Sequence, residues 1–207
     1  MFSDIIWDFD GTLFDTYPSI ASAFQRALKE EGIEQSQEEI LKHIRISVTH
    51  GINYYRDNFK LNVEGFTDRY VKYGDETDVT SIFPFPYAEE ICREITGRGG
   101  RNYIITHRDK SIFKYLRYHD MLNLFTEVVT EEYGFKRKPD PESYLYILKK
   151  HNISKESALM IGDRELDLTG AKNAGIKSCL FDVCNCNFRH KADYVIESIK
   201  ELEKIIF

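Results

Sequence analysis

The sequence has no apolar run that approaches the roughly 20 residues needed to span a lipid bilayer, so no transmembrane helix is predicted. The N-terminus, Met1-Phe2-Ser3-Asp4, has neither a basic start nor a long apolar segment, which argues against export. The 207 residues include only four cysteines. Without an export signal, reduced thiols are expected rather than a disulfide framework. We therefore expect a cytoplasmic protein with no membrane partner.

Clustered positive charge is also lacking, because the formal net charge is -6 and the basic residues are scattered along the chain. A surface that binds the nucleic-acid backbone needs such clusters, so no nucleic-acid partner is expected. Internal repeats and low-complexity segments are absent as well. With 42% hydrophobic and 30% charged residues, the composition is that of a globular protein with a real core.

Short apolar runs alternate with helix-like stretches over most of the chain. The runs, which have the character of buried strands, are residues 5–8, 103–106, 128–130, 158–162 and 177–181. The helix-like stretches are residues 87–98, 110–118, 141–151 and 165–174. This alternation is typical of βα units and predicts an α/β fold with a doubly wound parallel sheet.

The stretch between the first two predicted strands has a different pattern. It contains no strand-like run, and its apolar residues keep helical spacing, as at Ile20 and Phe24. We therefore predict an all-helical domain at residues 17–81, inserted after the first strand of a core made of residues 1–16 and 82–207.

Polar residues follow the predicted strands at their carboxyl ends. They are Asp8, Asp10, Thr106, Lys138, Asp163 and Asp167. Ligands of open parallel sheets bind at this edge, so these side chains should converge. Gathering four aspartates in one cleft is costly unless a hard cation offsets their charge. Magnesium, which prefers oxygen ligands, fits that role.

Phosphoryl transfer is the chemistry that this set of groups suits. A carboxylate can attack phosphorus to give an aspartyl phosphate, and a second carboxyl two residues away can serve as general acid and base. The transferred group needs positive charge and hydrogen-bond donors on its oxygens, which Lys138 and the Thr106 hydroxyl would supply.

The order of these motifs resembles that of the haloacid dehalogenase superfamily, nearest to its phosphoglycolate phosphatase-like branch. The motifs are Asp-Phe-Asp-Gly-Thr-Leu, a strand-terminal Thr, Lys-Pro-Asp-Pro and Gly-Asp-x-x-x-Asp. The resemblance covers nearly the whole chain, and it implies a Rossmann-like core with residues 17–81 as a small helical cap.

The resemblance also implies a role for each motif residue. Asp8 would be the nucleophile and a metal ligand, and Asp10 the general acid and base as well as a ligand through its backbone carbonyl. Thr106 and Lys138 would bind phosphate. Asp163 would be a metal ligand, and Asp167 would support the metal indirectly or through water. The implied activity is magnesium-dependent hydrolysis of a small phosphate monoester, with a phosphorylated metabolite as substrate.

Two residues depart from the family pattern. His107 stands where relatives usually have Asn, and Arg137 where they usually have Gly. His107 neighbours the phosphate-binding Thr106, so we include it among the predicted substrate-binding residues.

A loop within the predicted cap is the other source of predicted substrate contacts. Residues 45–51 interrupt the helical spacing, and in relatives the corresponding loop faces the active site. Arg45 and His50 are therefore predicted to read the substrate, although a solvent-facing turn between helices fits the pattern equally well.

Other functions are compatible with parts of this pattern. A phosphomutase of the β-phosphoglucomutase type shares all four motifs, but it usually carries a His in the first cap helix that this chain lacks. Dehalogenases lack the second carboxylate of the first motif, which is present here as Asp10. A non-catalytic member of the family would keep the fold without turnover. Zinc at Cys184, Cys186 and His190 is disfavoured, because a second cysteine pair is missing.

Overall fold

The computed structural model describes residues 2–183, 185 and 187–207. Cys184 and Cys186, the two cysteines of the disfavoured zinc site, lie outside the described residues. The chain divides into two compact units, an α/β unit made of Met1–Asp15 and Phe83–Phe207 and a helical unit made of Thr16–Ile82. No helix in the described part of the chain has both the length and the apolar character to cross a membrane.

The described residues contain a single sheet of six strands, all paired in parallel. The strands are β1 Asp4–Trp7, β2 Arg101–Ile105, β3 Phe125–Val129, β4 Ala158–Gly162, β5 Lys177–Phe181 and β6 Tyr194–Ile196. Their order across the sheet is β3-β2-β1-β4-β5-β6, which confirms the predicted doubly wound fold. The edge strand β6 was not predicted.

The α-helices that the structure describes are α1 Tyr17–Glu30, α2 Gln37–Ile44, α3 Val48–Phe59, α4 Val63–Asp75, α5 Ala88–Gly97, α6 Ile112–Tyr118, α7 Glu142–Lys150, α8 Glu165–Ala174 and α9 Glu203–Ile206. The first four form the helical unit, and the others belong to the α/β unit.

Helices cover both faces of the sheet, because successive side chains of a strand point to opposite sides. Ile6 in β1 belongs to a buried cluster that includes Tyr144 of α7 and Ala171 of α8. On the opposite face, the Trp7 indole donates a hydrogen bond to the Asn102 side chain at 3.0 Å, and the Asn102 amide donates to the Cys92 carbonyl oxygen of α5 at 2.9 Å. The central strand β1 is thus buried on both sides, and it carries the first motif at its carboxyl end.

The helical unit has its own aromatic core. Phe24, Tyr55 and Phe66 are fully buried, and the Phe24 and Phe66 rings meet edge to face with centroids 4.6 Å apart. The α3 helix begins at Val48 with the Ser47 hydroxyl accepting a hydrogen bond from the His50 backbone N–H. A turn between two helices is present here, but it is shorter than the predicted stretch of residues 45–51, because α2 ends at Ile44 and the Ser47 cap starts α3.

Candidate active site

The first motif forms a tight turn directly after β1. The backbone N–H of Asp8 donates to the Ile161 carbonyl oxygen at 2.9 Å, which extends the pairing of β1 with β4 by one residue. The chain then turns back, with the N–H groups of Leu13 and Phe14 both donating to the Phe9 carbonyl oxygen. Gly11 has a φ of 80°, a conformation that glycine adopts without steric cost. The turn holds the Asp8 side chain inside the protein, where it is fully buried.

Lys138 brings the third motif to this aspartate. Its Nζ donates to Asp8 Oδ1 at 2.6 Å, to Asp167 Oδ1 at 2.6 Å and to the Ile105 carbonyl oxygen at 2.9 Å. The side chain of Lys138 is 1% exposed. The neighbouring Lys136 is 78% exposed, with its Nζ 3.9 Å from Asp140. Of the two lysines, Lys138 is thus the one that lies among the aspartates.

The fourth motif spans the end of β4 and the first turn of α8. Asp167 Oδ2 accepts a hydrogen bond from the Arg164 backbone N–H at 3.2 Å, which caps the helix. A Cβ atom on Gly162 would lie 2.5 Å from the Cβ of Asp167, so only glycine allows this approach. Asp163 Oδ1 accepts a hydrogen bond from the Thr12 hydroxyl at 3.2 Å, which links the fourth motif to the first.

Asp8, Asp163 and Asp167 form a cluster in which one carboxylate oxygen from each lies within 4.8 Å of the others. Burial raises the pKa of Asp8 in spite of the adjacent Lys138 ammonium, and the Asp167 carboxylate adds to that rise. For Lys138 the balance is reversed, because Asp167 and Asp8 outweigh the effect of burial and raise its pKa. The site therefore favours the ammonium form of Lys138, which lies beside carboxylates that crowd one another.

The cluster has the donor chemistry that a hard divalent cation requires. Both oxygens of Asp167 already accept hydrogen bonds, from Lys138 and from Arg164. Asp8 Oδ2, in contrast, is buried and has no hydrogen-bond partner among the described residues, with Arg164 Nη2 3.6 Å away. A buried carboxylate oxygen without a hydrogen bond is costly, and a cation would satisfy it. These residues fit a divalent metal ion.

Asp10 is turned toward an arginine that the sequence analysis did not single out. Arg108 Nη2 donates to Asp10 Oδ1 at 2.7 Å, and Arg108 Nε lies 3.1 and 3.2 Å from the two carboxylate oxygens. Both side chains are about one-fifth exposed, at 19% and 20%. The Asp10 carboxylate is not a member of the three-aspartate cluster.

Thr106 and His107 follow β2 beside the lysine. Thr106 is 4% exposed, and its Oγ1 accepts a hydrogen bond from the Arg108 backbone N–H at 3.1 Å. His107 Nε2 accepts a hydrogen bond from the Lys138 backbone N–H at 2.8 Å. A cavity of about 220 Å³ is lined by Thr106, His107, Arg137 and Lys138. Arg137 itself is largely exposed and pairs with Glu131 at 3.2 Å.

Arg45 and His50 belong to the helical unit. The Arg45 guanidinium lies 5.6 Å from the centroid of the Tyr17 ring. The His50 ring stacks on the His43 ring with centroids 5.8 Å apart. Their role in reading the substrate stays a prediction.

Three polar residues near the aspartates were missed as site residues. Thr12 and Arg164 lie within the motifs that were recognised, and Arg108 comes two residues after Thr106. Their nearness to motif residues was the available signal, but their partners are distant in sequence: the Arg108–Asp10 pair joins residues 98 positions apart.

Known proteins with similar sequences point to one family. The family model described as haloacid dehalogenase-like hydrolase matches residues 5–181. A phosphoglycolate phosphatase of Cereibacter sphaeroides is 31% identical over 186 residues, which cover 86% of this chain and 84% of that protein. A pyrophosphatase PpaX of Oceanobacillus iheyensis is 25% identical, with 98% and 95% covered.

A solved structure supports the same assignment. The crystal structure of a hydrolase from Streptococcus pneumoniae has 31% sequence identity and a TM-score of 0.69, and the match covers 99% of this chain and 98% of that one. The family match spans the residues of all four motifs, and the first, third and fourth of these meet at one cluster of aspartates. The chain therefore belongs to the haloacid dehalogenase-like hydrolases.

Proposed function

We propose that the protein is a magnesium-dependent phosphatase that hydrolyses a small phosphate monoester through an aspartyl phosphate formed on Asp8. The observation that carries this proposal is the buried Asp8 carboxylate, with one oxygen 2.6 Å from the Lys138 ammonium and the other without a hydrogen-bond partner among the described residues. One Asp8 oxygen thus lies beside the positive charge that a phosphoryl group needs, and the other has lone pairs available to a cation.

Charge around Asp8 favours attack on a phosphoryl group. Lys138 would stabilise negative charge on the phosphoryl oxygens, and the Thr106 hydroxyl would donate a hydrogen bond to them. The Thr106 oxygen already accepts from the Arg108 N–H, so its own hydrogen is directed elsewhere. Magnesium, when bound, would supply further positive charge on the phosphoryl group and favour the ionised form of Asp8. Asp8 and Asp163 are the proposed side-chain ligands and the Asp10 backbone carbonyl the third, with Asp167 in support.

The proposed reaction has two steps. In the first, a bond forms between an Asp8 carboxylate oxygen and phosphorus while the ester P–O bond breaks, and the leaving oxygen takes a proton from Asp10. In the second, the oxygen of a water molecule attacks phosphorus while Asp10 accepts a proton from that water. The bond between phosphorus and Asp8 breaks, and inorganic phosphate is released. Arg108, which contacts both carboxylate oxygens of Asp10, would orient that side chain for the two proton transfers.

Two relatives suggest which substrates to test first. One is named a phosphoglycolate phosphatase and the other a pyrophosphatase. The proposal also assigns the helical unit the role of a cap, with Arg45 and His50 contacting the substrate. Arg45→Ala and His50→Ala should then raise KM for the preferred ester more than they lower kcat.

The test is release of inorganic phosphate from 2-phosphoglycolate, pyrophosphate and a panel of sugar phosphates, with magnesium and with a chelator. Asp8→Asn keeps the size of the side chain but loses the nucleophile, so it should fold and lose turnover. Asp120→Asn is a matched control, because that carboxylate is 88% exposed and 3.7 Å from Arg93. Wild-type activity in Asp8→Asn would refute the mechanism. Conversion of a sugar 1-phosphate to its 6-phosphate without phosphate release would favour the mutase.

A further inference from the structure

His107 joins two motifs that are far apart in sequence. It follows Thr106 at the end of β2, and its Nε2 accepts a hydrogen bond from the backbone N–H of Lys138, 31 residues later. Lys138 is 5% exposed, so this N–H has little access to water. A buried backbone donor needs a partner, and the imidazole provides it.

The hydrogen bond fixes the chemical form of the imidazole. A ring nitrogen that accepts a hydrogen bond carries no proton, so the proton of the neutral ring is on Nδ1. Burial lowers the pKa of His107 to about 3, and the nearby Lys138 and Arg137 act in the same direction. His107 thus stays a neutral acceptor throughout the pH range in which a phosphatase would work.

Both ends of the Lys138 residue are therefore held. Its ammonium group lies among Asp8 Oδ1, Asp167 Oδ1 and the Ile105 carbonyl oxygen, all within 2.9 Å. Its backbone N–H is held by His107. Because Ile105 and His107 flank Thr106, the same short segment fixes the lysine at its backbone and at its charged end.

We propose that His107 is a positioning residue that sets the location of Lys138 through the lysine backbone. This role rests on the proposed function only in that Lys138 binds the phosphoryl group there. It differs from the substrate contact predicted from the sequence. A positioning residue changes kcat for all substrates alike, whereas a residue that contacts one leaving group changes the preference among substrates.

Three variants separate these roles. In His107→Gln the amide oxygen can take the place of Nε2 as acceptor. His107→Asn is one carbon shorter and cannot reach, and His107→Phe keeps a ring without any acceptor. We expect His107→Phe and His107→Asn to lower kcat about tenfold for two unlike esters, equivalent to about 1.4 kcal/mol. KM should change less than kcat, and His107→Gln should recover most of the rate. Altered preference between the two esters, or full activity in His107→Phe, would overturn the proposal.

Two measurements on the protein without substrate test the same proposal independently of turnover. Nitrogen-15 NMR of the wild-type imidazole should give the Nδ1-protonated form from about pH 5 to pH 9. Hydrogen exchange at the Lys138 amide should be slow in the wild type and His107→Gln, and at least tenfold faster in His107→Phe. A protonated Nε2, or unchanged protection in a folded His107→Phe, would overturn the inference. If these results hold but no phosphate ester is turned over, the proposed function alone has failed.

Discussion

Replacing Lys138 by methionine would remove an ammonium group that lies within hydrogen-bond distance of both Asp8 and Asp167. Methionine has a similar length and fits a buried site, but it has no charge and no donor. Both carboxylates would remain buried, since neither residue has exposed surface in the folded protein. The ammonium group also donates a hydrogen bond to the Ile105 carbonyl oxygen, which would lose this donor.

The expected loss in the free energy of unfolding follows from the two carboxylates that stay buried without the lysine. Removing one partner of a buried ion pair costs about 3–5 kcal/mol, because the other charge stays buried without compensation. In a chain of this length, each kcal/mol shifts the unfolding temperature by about 2–4 °C, so a fall of about 6–20 °C is expected.

The assay is thermal and urea unfolding in the presence of a chelator, so that no cation replaces the lost charge. Lys136→Met is the matched control, because Lys136 is 78% exposed and should change the free energy of unfolding by less than about 0.5 kcal/mol. The double variant Lys138→Met with Asp167→Asn removes one of the stranded charges and should recover at least about 1 kcal/mol. Stability of Lys138→Met within 1 kcal/mol of wild type, or strict additivity in the double variant, would refute the reasoning.

Three further substitutions test other parts of the structure. Arg108→Ala should lower kcat about tenfold with a stability change below about 1 kcal/mol, because the partly exposed guanidinium orients Asp10 but supports little of the core. Steady-state kinetics and thermal unfolding check this, and an unchanged kcat would contradict it. Gly162→Ala should abolish phosphate release and cost about 1–3 kcal/mol in urea unfolding, since the new Cβ would lie 2.5 Å from a side-chain carbon of the fourth motif. Burial raises the pKa of Glu127, but hydrogen bonds from basic and tyrosine side chains outweigh it and lower the pKa from 4.5 to about 2. Glu127→Gln should therefore cost about 1–2 kcal/mol at neutral pH. This difference should be full above pH 4.5 and disappear as the pH falls through about 2, and urea unfolding at a series of pH values would refute the argument if it stayed constant.

Three of the motif residues, Asp8, Thr106 and Asp163, could be located from the sequence because each follows a strongly apolar run. Strands β1, β2 and β4 are almost entirely buried, so their sequences lack the polar alternation of half-exposed strands. The end of each run marks the edge of the sheet, and Asp8, Thr106 and Asp163 stand at or next to those ends. For these residues the local sequence pattern therefore also indicates where they lie in the tertiary structure.

The edge strand and the arginine pair could not be predicted in that way. Strand β6 has three residues, Tyr194–Ile196, of which only Ile196 is buried, so it has no apolar run. It forms a strand by pairing with β5, and this pairing leaves no signal in the short sequence of β6 itself. The contact between Arg108 and Asp10 depends on the rotamer of a long side chain and on a turn that is 98 residues away. Neither property is encoded in the spacing of apolar residues.

The balance of charge at the site links the roles proposed for its residues. Three carboxylates, those of Asp8, Asp163 and Asp167, face the two positive groups of Lys138 and Arg164, which leaves one negative charge in excess. A phosphate dianion would add two more negative charges and would be repelled. A divalent cation would reverse the sign of the site, so that the dianion would be attracted. Binding of the cation and of the phosphate group would then strengthen each other by the same factor, because coupling between two sites is reciprocal. Lys138 alone cannot provide this attraction, since both of the carboxylates it contacts already compete for its charge.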